Sequence, residues 1–186
     1  MQLFTKMIPG ESLVIKKAIA TLDTSAVEAM AWIWDFCSNE RMDETDNEGK
    51  VPVEFERNGD PSEQIVCKVK EYAWPVNSRD FILRNVWCTL SGNDIGMAWD
   101  ASTSSVQLDR SPATHGDHIR GSSRGYCILS PTRCSPNQCQ LIWIQQVNIG
   151  GHVPVKLMNE IQLHKEISVA LNIRSYFARN KEIEAR

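Results

Sequence analysis

Residues 74–90 read Trp74-Pro75-Val76-Asn77-Ser78-Arg79-Asp80-Phe81-Ile82-Leu83-Arg84-Asn85-Val86-Trp87-Cys88-Thr89-Leu90, a proline-and-polar turn running straight into a long apolar strand interrupted by Arg84 and Asn85. Successive strand residues point to opposite faces, so Phe81, Leu83, Asn85 and Trp87 share one side and Ile82, Arg84, Val86, Cys88 and Leu90 the other. A strand this apolar needs cover on both faces. A polar group left unpaired inside such a surface costs roughly 1–3 kcal/mol unless something completes its hydrogen bonds. The pattern therefore predicts the wall of a pocket for a large apolar ligand; an ordinary sheet core with one polar residue at its rim is the simpler alternative.

Outward from this strand the chain reads as a succession of short elements. Toward the N-terminus, Gln2 to Ile8 and Leu13 to Leu22 are β-rich and flank Pro9-Gly10-Glu11-Ser12, a hairpin signature. Ser25 stands three residues before Glu28 and ahead of Val27, Met30, Ile33, Trp34 and Cys37, a capping box opening an amphipathic helix. The acidic run 42–50 reads as a solvated loop. Period-two patterns recur at Val51–Glu56, Glu63–Tyr72, Asp94–Ala101, His118–Gly121, Arg124–Leu129 and Gln138–Ile149, joined by turns such as Asn58-Gly59-Asp60-Pro61 and Ser91-Gly92-Asn93-Asp94. Residues 102–116 form the long polar surface loop. From Pro154 the period changes: Leu157, Met158, Ile161, His164, Ile167 and Leu171 fall at helical spacing, predicting a closing helix over 154–183. A curved, mostly antiparallel sheet covered by a long terminal helix buries all these apolar faces at once, an α+β arrangement.

Composition narrows the function. At 186 residues, 42% apolar, the chain fits one domain over 1–186 with a sizeable core. A net charge of −3 with scattered basic residues argues against a nucleic-acid partner. No run reaches the 18 or so apolar residues needed to cross a bilayer, and no basic-then-apolar signal opens the chain, so the protein is read as soluble and cytoplasmic. The six cysteines, Cys37, Cys67, Cys88, Cys127, Cys134 and Cys139, read as small core residues, and neither they nor His115 and His118 make a zinc pattern, so no metal and no cofactor is expected. Arg79-Asp80 reads as a tie between turn and sheet, not an acid–base pair.

Five segments in register resemble a known family: Pro75-Val76-Asn77-Ser78-Arg79-Asp80-Phe81, Ile119-Arg120-Gly121, Gly125-Tyr126-Cys127-Ile128-Leu129-Ser130-Pro131, Gln140-Leu141-Ile142-Trp143 and Asn148-Ile149-Gly150-Gly151-His152-Val153-Pro154. Their order and spacing are similar to those of START domains, the steroidogenic-acute-regulatory-related lipid-transfer domains. The resemblance is clear over residues 63–178 and compatible before that. It implies a helix-grip fold, with the sheet wrapped around an internal hydrophobic tunnel and the C-terminal helix as its lid. It implies one bound lipid, a sterol, phospholipid or sphingolipid, transient peripheral contact with membranes, and a monomer that performs no chemistry. Two departures stand out. Family members generally begin with a further helix and strand, and a chain opening Met1-Gln2-Leu3-Phe4 is too short to include that helix, so either a shortened member or an incomplete chain is expected. The family's cavity arginine follows the Arg-Asp-aromatic motif at an even offset, where this chain has Asn85 with Arg84 beside it. A one-residue slip exchanges faces, so Asn85 is the expected anchor unless a β-bulge near Leu83 turns Arg84 inward.

The candidate lipid-binding residues are Asn85, Trp87, Met97, Trp99, Arg120, Trp143 and Gln145 from the strands, Arg84 as the alternative anchor, and Leu157, Met158, Ile161 and His164 from the lid. Two other readings share the fold. One is a polyketide cyclase or aromatase-like enzyme, which needs paired polar groups inside the tunnel; the other is an interaction module that has lost its ligand.

Overall fold

The computed structural model describes residues 1–7, 13–35, 50–56, 59–70, 77–101, 118–133, 135–154 and 170–178. In chain order these form β1 (Gln2–Met7), β2 (Val14–Leu22), α1 (Ala26–Trp34), β3 (Lys50–Glu56), β4 (Glu63–Lys70), β5 (Arg79–Thr89), β6 (Ile95–Asp100), β7 (Ile119–Arg120), β8 (Ser122–Thr132) and β9 (Ser135–Asn148). Residues 170–178 form a second helix, α2. The remainder of the expected 154–183 helix, with Leu157, Met158, Ile161 and His164, lies outside the described residues, as do the 102–116 loop, Cys37, Cys134 and His115.

The strands make one nine-stranded sheet in the order β1-β2-β9-β8-β6-β5-β4-β3. The N-terminal hairpin pairs Met7 with Val14 through Gln2 with Ile19, and β9 returns from the end of the sequence to lie between that hairpin and β8. Every pair along this path is antiparallel; the parallel contact is short, Arg79 and Asp80 of β5 against Ile119 and Arg120 of β7. That contact closes the turn before β5 against the Gly121 segment, whose N–H donates to the Asp80 carbonyl at 2.9 Å. The turn between β5 and β6 uses the left-handed region twice, at Gly92 (φ 73°) and Asn93 (φ 67°), which glycine and asparagine tolerate best.

The α1 helix starts where its cap predicts. The Glu28 N–H donates to Ser25 Oγ at 3.2 Å, and the Ser25 N–H donates back to Glu28 Oε2 at 3.1 Å, a reciprocal capping box. Its buried face is Ala26, Ala29, Met30 and Ile33. Val27, expected to pack inward, is 67% exposed, because the three- and four-residue steps from Ala26 leave it on the far side. Ser25→Ala is expected to destabilise the fold by about 1 kcal/mol, the usual cost of losing a hydroxyl cap. The Glu28 carboxylate is held below its ordinary value of 4.5 by hydrogen bonds from the Thr24 and Ser25 hydroxyls and the Ser25 N–H. A depressed carboxylate contributes its stability in full above the unfolded value and loses it as the pH falls through the folded one. Denaturant melts of Ser25→Ala between pH 3 and 7 check both effects: the deficit against the parent shrinks as the pH falls below the ordinary carboxylate value and Glu28 takes up its proton.

Both helices lie on one face of the sheet. Leu22, Leu129 and Leu141 from the strands, Ile149 just after β9, Ala29 and Ile33 from α1 and Ala170 and Ile173 from α2 belong to one buried cluster. The helices also meet each other, the Trp32 ring lying 5.4 Å from Tyr176 and 6.4 Å from Phe177. On the opposite face Ile65, Cys67 and Ile82 form a second, smaller buried cluster. This is the helix-grip architecture: a sheet that closes over helices with its apolar residues turned toward them.

Candidate functional site

The antiparallel registers align inward side chains in rows that cross the sheet. One row runs Ala18, Trp143, Cys127, Met97, Trp87 and is apolar throughout. The next runs Lys16, Gln145, Gly125, Trp99, Asn85, Gln64 and is polar at both ends. Beyond it lie Val147, Ser123, Leu83 and Val66. The inner face is thus a hydrophobic surface crossed by a single band of amides, indoles, a hydroxyl and an ammonium.

The centre of that band is a hydrogen-bonded chain. The Trp143 indole Nε1–H donates to Gln145 Oε1 at 2.9 Å, and Gln145 Nε2 donates to Ser123 Oγ at 3.0 Å. Trp99 Nε1–H reaches the same Ser123 Oγ at 3.1 Å. The two indoles lie against each other, 4.6 Å between centroids and tilted by 37°, a contact geometry that aromatic pairs favour. Gly125 makes room for it: a Cβ there would sit 2.5 Å from Trp99 Cζ2. At the other side of the sheet Gln64 Nε2 donates to the Trp34 carbonyl at 2.9 Å, capping the end of α1, and the Trp34 ring meets Trp87 edge-on at 6.4 Å. Asn85 is 6% exposed, a buried carboxamide in the band opposite Trp99.

The expected residues fall into three groups. Asn85, Trp87, Met97, Trp99, Trp143 and Gln145 share the inner face. Arg84 does not join them. The β4–β5 register is unbroken from Lys70–Arg79 to Glu63–Val86, so no bulge interrupts the strand near Leu83, and Arg84 turns outward into a two-point ion pair, Nε and Nη2 to the Glu63 carboxylate at 2.8 and 2.7 Å. That guanidinium holds the Glu63 carboxyl below its ordinary value. Arg120 also lies apart: its Nε and Nη2 bind Asp80 Oδ2, each at 2.7 Å, and it borders a cleft of about 130 Å³ with Ala101, Gly121, Ser122, Asn148 and Gly150. The lid residues are outside the described set. Ser123, Gln64, Lys16 and Gly125 were not singled out from the sequence, although Ser123 is in phase with Gly125, Cys127 and Leu129 once β8 is extended two residues upstream of Arg124.

The remaining chemistry-bearing groups are structural. Arg79, 2% exposed, donates Nε–H to the Ile149 carbonyl at 2.7 Å and Nη1–H to the Asn77 carbonyl, tying the turn before β5 to the end of β9. Asp80 is fully buried under Arg120. Cys67, Cys127 and Cys139 are buried, whereas Cys88 departs from its expected core role and lies exposed on the outer face of β5. Burial pushes the Cys127 thiol up to about 12 and the Cys139 thiol up to about 11. Among the described residues no three His, Cys, Asp or Glu side chains gather as metal ligands, and no helix is long and apolar enough to cross a membrane.

Solved structures share this architecture at low sequence identity. The human StarD13 (DLC2) lipid transfer and protein localization domain superposes with a TM-score of 0.75 at 18% identity, covering 94% of this chain and 83% of that one. A STAR-related lipid transfer protein from Xanthomonas axonopodis gives 0.77 at 15% identity over 95% and 92%. Human STARD10 gives 0.69 at 13% identity over 97% and 71%. At these identities the likeness speaks to the fold. No curated protein matches the chain by sequence. The START domain family model, however, matches residues 21–182, from the end of β2 to beyond α2. With the five signature segments inside that span and the helix-grip sheet around them, the chain belongs to the START domain family, a lipid-binding fold.

Proposed function

We propose that residues 1–186 form one cytoplasmic, monomeric, non-enzymatic unit that holds a single lipid, a sterol, phospholipid or sphingolipid, between the inner face of the sheet and the C-terminal helix, and carries or senses it during transient contact with membranes. The observation that supports this most is the inner face itself: an apolar row of indole, thioether and small side chains beside one polar band. Such a surface holds an apolar body by burial, at about 25 cal/mol per Å², and orients it by a few polar contacts. Asn85 would contact the ligand from one end of the band and Gln145 from the other, with Trp87, Met97, Trp99 and Trp143 packing against its apolar part. Leu157, Met158, Ile161 and His164 would close over it, and no cofactor or metal is needed. A non-enzymatic role fits the thiols of Cys127 and Cys139, which burial keeps protonated at neutral pH and so poor nucleophiles.

The test is extraction. Protein incubated with vesicles of phosphatidylcholine, phosphatidylserine, cholesterol and ceramide, then reisolated, is expected to carry about one lipid per chain by mass spectrometry. Lipid-free protein after exposure to all of them would sink the reading. In the same assay Arg84→Ala is expected to load like the parent, since it loses only a solvent-exposed pair on the outer face. Asn85→Ala is expected to lower loading several-fold, the cost of one buried hydrogen bond. The reverse ranking would return the anchor to the arginine.

A further inference from the structure

The chain Trp143–Gln145–Ser123–Trp99 has a sense that fixes where its free hydrogens go. An indole N–H only donates, so Trp143 Nε1–H at 2.9 Å assigns Oε1 to the near end of the Gln145 amide and turns Nε2 toward Ser123. Ser123 Oγ then receives two donors, Gln145 Nε2 at 3.0 Å and Trp99 Nε1 at 3.1 Å. A serine hydroxyl has two acceptor sites and one hydrogen. With both acceptor sites filled, its own O–H must point a third way, and no acceptor among the described residues meets it. The second Nε2 hydrogen of Gln145 is in the same position. Ser123 is 4% exposed, so an unmet donor there is costly. Asn85, paired across the ladder with Trp99 and 6% exposed, is a second buried polar group in the same band. Two donors whose heavy atoms stand 3.0 Å apart can converge on one oxygen.

We propose that Ser123 and Gln145 form a two-donor clamp for a single acceptor oxygen of the bound lipid, and that Trp143 acts as a positioning residue by setting the sense of the Gln145 amide. This rests on the lipid-binding reading above and adds to it which atoms read the polar end of the lipid and where that end lies: at the middle of the sheet, over β8 and β9. The oxygen belongs to a hydroxyl, an ester or amide carbonyl, or a phosphoryl group. Lys16, the cross-strand neighbour of Gln145, separates these sources, because an ammonium beside the clamp favours a charged oxygen. The strand arginines are engaged elsewhere: Arg79 with the Ile149 carbonyl, Arg84 with Glu63, Arg120 with Asp80 and Arg124 with Gln146.

Vesicles of phosphatidylcholine, phosphatidylserine, cholesterol and ceramide serve as the lipid source, with bound lipid identified by mass spectrometry and its affinity read by competition. Ser123→Ala and Gln145→Leu are each expected to weaken retention about tenfold, the effect of leaving a buried acceptor without its donor. Ser123→Cys, which fills the same space with a poor donor, is expected to follow Ser123→Ala while melting closer to the parent. Trp143→Phe is expected to weaken retention in the parent and to add nothing in a Gln145→Leu background, because it acts through that amide; a packing effect would multiply instead. Lys16→Met leaves retention of cholesterol or ceramide unchanged if the oxygen is neutral, and lowers retention of phosphatidylserine or phosphatidylcholine if it is phosphoryl. Parent-like retention by Ser123→Cys and Gln145→Leu, or multiplicative losses in the Trp143→Phe double variant, overturns the clamp while leaving lipid binding in place. A lipid-free parent protein would instead remove the underlying reading.

Discussion

Arg79→Met is expected to lower the thermal midpoint by on the order of 10 °C, the shift that a loss of about 2–5 kcal/mol produces in a chain of this length. The guanidinium is nearly fully buried, and its N–H groups serve the Ile149 and Asn77 carbonyls. Methionine fills most of the volume but donates nothing, so the buried Ile149 carbonyl loses its partner. The damage is not local in sequence: Ile149 follows β9 and Asn77 precedes β5, and the same corner holds the parallel pairing of β5 with β7. Arg79→Lys should recover only part of the loss, because an ammonium cannot present the planar fork that reaches two carbonyls at once. Arg84→Met, five residues along the same strand but ion-paired at the surface, is the control and should melt like the parent. Parallel calorimetric scans decide it, and an Arg79→Met midpoint within 2 °C of the parent would refute the tie.

What was legible from the sequence follows from which signals are local. The alternation in β5 set the inner and outer residues of that strand without any knowledge of its neighbours, and it put Arg84 outside and Asn85 inside. The capping box at Ser25 and Glu28 set the start of α1 for the same reason: all its atoms lie within four residues. The face of α1 was less secure, since the placement of Val27 depends on the phase of a short helix and on which neighbours it meets. Arg120 was read as a pocket residue from its position in a signature segment, but its side chain is claimed by Asp80, forty residues away, a pairing no local pattern announces. Ser123 shows the limit most clearly. A lone serine in a strand carries no signal of its own; its importance arises because the β6–β8 and β8–β9 registers bring Trp99 and Gln145 to the same oxygen.

Gly125→Ala is expected to remove both stability and lipid retention, and to do so by one methyl group. The position is inward-facing on β8, opposite Trp99 on one side and Gln145 on the other. A Cβ built there meets the Ile144 carbonyl oxygen and lies 2.5 Å from Trp99 Cζ2. The carbonyl belongs to the adjacent strand and cannot retreat without opening the longest hairpin of the sheet, where Tyr126 pairs with Ile144. The indole must therefore move, and overpacking of this kind costs about 1–3 kcal/mol. Moving it withdraws Nε1–H from Ser123 and breaks the contact with Trp143, so the donor chain loses its arrangement together with its packing. The expected result is a midpoint lowered by several degrees, an altered tryptophan emission spectrum, and lipid retention reduced well below that of Ser25→Ala, a cap variant of similar instability. Gly125→Ala matching Ser25→Ala in retention at equal stability would show that the flat seat of Trp99 matters to the fold alone and not to what the inner face holds.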